Sequence, residues 1–90
     1  MNRNKLNIRM DLLRTAKSAF EVSKPLDQPL CSIFLTRALK DLEKHFPNET
    51  VLKTDLAICT SQINELRDDS LERIRWGEKV MTIAARLGTS

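Results

Sequence analysis

Apolar residues fall on one helical face along much of this chain. Leu52, Leu56, Cys59, Ile63 and Leu66 recur at spacings of four, three, four and three. That is the rhythm of an α-helix with one side buried, and it predicts a helix that must pack on other helices. Near the start, Leu12, Leu13, Ala16, Ala19 and Phe20 share an arc, with Asp11, Arg14, Lys17, Ser18 and Glu21 opposite. This pattern predicts a helix from about Asn7 to Val22. Lys5 and Arg9 intrude on its apolar arc, so residues 1–6 read as a flexible basic N-terminus.

Residues 23–29 read as a loop, because Pro25 and Pro29 disfavour helical angles in the residues before them. Pro29 suits the first turn of a second helix, with Asp27 or Gln28 near its cap. That helix is predicted to run to about His45, with Leu30, Ile33, Phe34, Ala38, Leu42 and Phe46 facing inward. Pro47 and Asn48 end it, and Asn48, Thr50 or Thr54 caps the third helix, which carries the opening stripe.

The stripe fades after Leu66, since the next two positions in its rhythm are Ser70 and Arg73. It resumes out of phase at Leu71 and Ile74, and Asp69 with Glu72 resembles a capping box. A break at residues 68–70 is predicted over a single bent helix. In the last helix Trp76, Val80, Ile83, Ala84 and Leu87 centre an arc that Ile74, Met81 and Ala85 widen to roughly 200°. One neighbour does not cover so wide an arc. Gly88 is the expected C-terminal stop.

Composition agrees with helices. The 90 residues contain two Gly, three Pro, no Tyr and one Trp, and they suit one domain, residues 1–90. The fold class expected is all-α, a small three- or four-helix bundle that dimerisation could complete. The net charge of +3 is mild but uneven: both ends are basic and the middle acidic. No stretch is long and apolar enough to span a membrane, and no signal-peptide core is evident. Asp11 and the lack of a Ser-rich run argue against a presequence. The expected location is cytoplasmic.

Candidate chemistry is sparse. Cys31 and Cys59 have no nearby Cys or His partner, so no metal site is expected and both read as small buried side chains. A disulfide between the second and third helices is geometrically conceivable but unusual in a reducing compartment. His45, the single histidine, sits where a helix C-terminus favours a cation. Asp68 and Asp69 point about 100° apart on a helix and do not converge. Gly77 and Gly88 are isolated and form no phosphate loop. No enzyme and no cofactor are expected.

Two surfaces remain. The broad arc nominates Trp76, Val80, Met81, Ile83 and Leu87 as a partner-binding or dimer interface, while Trp76 reads equally as core, where its indole N–H needs a hydrogen-bond partner. Opposite it, Arg75, Lys79 and Arg86, with Thr82 between, form a basic stripe suited to phosphate contact. The expected function is that of a small non-catalytic adaptor, inhibitor or regulatory protein binding another protein or itself. The alternative is a nucleic-acid-binding accessory protein. A helix-turn-helix is disfavoured, since the Pro47-Asn48 joint lacks a tight Gly-containing turn.

Overall fold

Asp27 begins the second helix as expected, its carboxylate accepting a hydrogen bond from the Leu30 backbone N–H at 3.1 Å, with Pro29 in the first turn. The computed structural model describes residues 3–66 and 69–89. They form four α-helices: α1 (Arg3–Phe20), α2 (Gln28–His45), α3 (Thr50–Gln62) and α4 (Ser70–Thr89). A single 3-10 turn, Ile63–Glu65, follows α3, and no strand occurs among the described residues. The fold is therefore all-α, a four-helix bundle.

Helix α1 packs along both α2 and α4, and α3 closes the side between those same two helices. The core comprises Ile8, Leu12, Ala16 and Ala19 of α1, and Cys31, Leu35, Ala38 and Leu42 of α2. To these α3 and its 3-10 turn add Leu52, Leu56, Cys59 and Ile63, and α4 adds Trp76, Val80, Ile83, Ala84 and Leu87. The opening stripe is thus core throughout, with Leu66 partly buried at its end. Each Leu or Ile taken fully from water contributes about 1.5–3 kcal/mol.

Several expectations need correction. Helix α1 begins at Arg3 rather than near Asn7 and ends at Phe20, so residues 3–6 are its first turn. Lys5 lies over the Phe46 ring at 5.4 Å, which gives that turn a tertiary anchor. Asp11, placed with the solvent face in sequence, is buried. In α2 the buried stripe is rotated from the predicted one. Cys31 and Leu35 are inside, while Leu30 and Ile33 are exposed, Ile33 by 59%. Polar contacts at both edges of α2 pin this rotation: Arg37 to Asp11 of α1, and Gln28 to the Ile63 and Leu66 carbonyl oxygens.

The break between the last two helices is real but starts earlier than residues 68–70. Helix α3 ends at Gln62, the 3-10 turn follows, and Leu66 is extended. Gln28 satisfies carbonyls that this interruption leaves over, donating to Ile63 O at 3.0 Å and Leu66 O at 3.2 Å. Asp69 then caps α4, accepting from the Leu71 N–H at 2.8 Å and the Glu72 N–H at 3.4 Å. Asp68 lies outside the described residues. The residue preceding α3 is Glu49, which makes no side-chain cap bond; Thr54 instead bonds back to Thr50 O.

The phase of α4 also differs from expectation. Leu71 is exposed, and the buried face begins at Arg73. Gly88 lies inside α4 without positive φ, so it does not terminate the helix in a left-handed cap. Gly77 has a clearer role. A Cβ there would lie 2.8 Å from Phe20 Cε1 and 3.1 Å from Ala19 Cβ. The bare glycine lets α4 approach the end of α1 at this level.

Candidate interaction surface

The broad arc of α4 is covered within the single chain. Trp76, Val80, Ile83 and Leu87 belong to the core, and of the five nominated interface residues only Met81 is exposed, by 39%. The reason is topological: α4 has two neighbours, α1 on one side and α3 on the other. The indole N–H of Trp76, buried to 2% exposure, donates to the Cys59 carbonyl at 3.1 Å, which removes the cost of burying it unpaired. The expectation of an uncovered face on this helix is therefore corrected for the centre of the arc, while Met81 and Ala85 at its edges stay exposed and Ile74 is half-buried.

The basic stripe is exposed but not free-standing. Arg86 donates to Asp55 of α3 at 3.4 Å. Arg75 and Lys79 border a groove of about 280 Å³ between the 3-10 turn and α4, floored in part by Trp76 and Leu66. Glu65 and Glu72 line the same groove, so its two cations face two carboxylates. Thr82 turns its hydroxyl back to Glu78 O.

Both cysteines are free and buried. Burial is the main cause that pushes each thiol above its ordinary value of 9.0; Ser18 opposes this at Cys31, and Lys79 opposes it at Cys59. A raised pKa leaves little thiolate on either side chain near neutral pH. His45 ends α2 at the surface, with Phe46 edge-on at 6.4 Å. No group of His, Cys, Asp and Glu able to hold a metal ion occurs among the described residues.

Two polar centres were not anticipated. The first is Arg73, 2% exposed, whose guanidinium donates to the carbonyl oxygens of Lys24, Ser18 and Glu21 at 2.7, 3.0 and 3.1 Å. It closes the C-terminal end of α1 and the turn after it. One sequence signal could have found it: Arg73 lies in step with Trp76, Val80, Ile83 and Leu87, at spacings of three, four, three and four.

The second centre lies between α1 and α2. Asp11 accepts a bidentate pair from Arg37, Nε to Oδ2 at 2.9 Å and Nη2 to Oδ1 at 2.6 Å. Arg14, one turn further along α1, reaches the same Oδ1 at 3.3 Å. Both guanidiniums stand over Phe34, at 5.9 Å for Arg14 and 5.6 Å for Arg37. Asp11 raises the already high pKa of Arg37 by hydrogen bonding and by its charge. The hollow here, about 310 Å³, is lined by Asn7, Met10, Asp11, Arg14, Arg37 and Asp41. No local sequence pattern announces it, since Asp11 and Arg37 are 26 residues apart.

No family model, curated protein or solved structure matches this chain. No helix among the described residues is long and apolar enough to cross a membrane.

Proposed function

We propose that this chain is a small non-catalytic helical protein, an adaptor, inhibitor or regulator, that acts by binding another protein. One observation carries the reading. The core closes within a single chain, yet large apolar side chains stay exposed outside it, among them Leu6 and Met10 on α1 and Leu30 and Ile33 on α2. Exposed apolar side chains gain from being covered, at about 25 cal/mol per Å² removed from water. Val51 and Ile58 on α3 and Leu71 and Met81 on α4 are exposed too; the α1–α2 side is preferred because Met10 and Ile33 border hollows beside Arg37.

A photo-crosslinking residue placed in turn at Ile33, Leu30 and Met10, and at Lys53 as a control, tests this in the native cell. One recurrent protein adduct from the α1–α2 positions and none from Lys53 is expected. Adducts spread equally over all four positions defeat the reading. Sedimentation of the purified chain separates self-association from a foreign partner.

The nucleic-acid reading rests on Arg75 and Lys79, which are exposed on α4. It is weakened by the Arg86–Asp55 pair and by Glu65 and Glu72 in the adjoining groove. Salt-dependent binding to an oligonucleotide that is lost on Arg75→Glu with Lys79→Glu would favour it instead.

A further inference from the structure

We propose that Arg14 and Arg37 form a carboxylate-binding site for an acidic segment of a partner protein. The inference rests on the reading that the chain binds another protein, and it names the chemistry of that contact.

Asp11 is fixed inside the protein, with Arg37 bidentate on it and Arg14 on its shared Oδ1. Two guanidiniums are thereby held side by side, each over the face of Phe34. The side chains of Arg14 and Arg37 are nonetheless 51% and 53% exposed. A guanidinium carries five N–H donors. Arg37 spends two on Asp11 and Arg14 spends one, so outward-facing donors remain on both. Their ordering cost is already met by the fold, which favours a second planar oxyanion on the solvent side.

Charge points the same way. One carboxylate, Asp11, is shared by two arginines; Lys40 and Asp41 beside them cancel, which leaves one positive charge in excess. The surroundings select a protein over a nucleic acid. Met10 lines the hollow on one side of Arg37, and Ile33 lines a second hollow on its other side. Asp41 borders both hollows and interrupts any run of cations that a phosphate backbone would follow. A single Asp or Glu side chain with an apolar neighbour meets the two arginines and the flanking Met10 or Ile33 together.

The arginine Nε–H resonances of the 90-residue chain report on this site. The probes are an acetylated peptide of alternating Glu and Leu, its Gln-for-Glu counterpart, and a single-stranded DNA oligonucleotide. The Glu peptide is expected to move the Arg14 and Arg37 signals saturably, and the Gln peptide to leave them in place. Arg14→Gln, which keeps the Arg37–Asp11 pair and a dispersed spectrum, should weaken Glu-peptide binding about tenfold. Unmoved arginine signals, equal movement with the Gln peptide, or tighter binding of the oligonucleotide overturns the proposal. Movement of the Leu30 and Ile33 amides alone, with both peptides, removes the carboxylate site and leaves protein binding standing.

Discussion

The Arg73 guanidinium donates to the Ser18 carbonyl at 3.0 Å across 55 residues of sequence. With its bonds to Glu21 and Lys24, this contact lets one buried cation satisfy carbonyl oxygens at the end of α1 and in the turn after it. A cation suits that place because the carbonyl end of a helix carries the negative pole of the dipole. Arg73→Met keeps the bulk of the stem and removes every donor. Leaving buried acceptors unpaired costs about 1–3 kcal/mol each, less where water can enter. A loss of about 3 kcal/mol is expected, read as a lower urea midpoint with unchanged slope. A loss below about 0.5 kcal/mol, the size of an ordinary surface change, would contradict this role.

Gly77 and Phe20 should be coupled. Alanine in mid-helix is favoured over glycine by about 1 kcal/mol. Here the added methyl would lie 2.8 Å from Phe20 Cε1 and 3.1 Å from Ala19 Cβ. Overpacking of that kind costs about 1–3 kcal/mol. Gly77→Ala is therefore expected to destabilise slightly, and Phe20→Leu in the same chain to recover part of the loss. A double-mutant cycle showing strict additivity would remove the steric account.

The rotation of α2 is testable by paired lysine substitutions. Ile33 is exposed and Leu35 fully buried. Ile33→Lys should change stability by less than about 0.5 kcal/mol. Leu35→Lys puts a cation in the core and should abolish cooperative thermal unfolding. Reversal of the two outcomes would restore the phase expected from sequence.

Alkaline pH should lower stability through the cysteines. Burial raises the folded thiol pKa of both Cys31 and Cys59 above 9.0, so the folded state holds these protons more tightly than the unfolded chain. Their contribution is complete below pH 9 and is lost as pH rises from 9 towards the folded values. Tyrosine is absent, so no phenol titrates in that range. The melting temperature should be level near neutrality and fall above pH 9, more gently in the Cys31→Ala, Cys59→Ala double variant. An equal slope in that variant would assign the loss to other groups. Aromatic disulfide reagents should label both thiols only as the chain unfolds.

The helical class, a proline-bearing loop before α2 (residues 21–27 rather than 23–29), the Asp27 and Asp69 caps and the stripe from Leu52 to Ile63 were legible in the sequence. Each depends on neighbours within a turn or two: proline geometry, a cap bond, or a period of three and four. Partners distant in sequence escaped that reading. Asp11 looked solvated until Arg37 arrived from α2, and Arg73 looked like the end of a stripe until α1 supplied its carbonyls. The apolar arc of α4 looked like surplus surface, because periodicity measures the width of an arc but not how many helices meet it. Sequence alone determined which segments are helices and that they must associate. The tertiary structure decided which faces remain in water, since α1 and α3 cover α4 while Ile33 and Met10 are left outside beside Arg14 and Arg37.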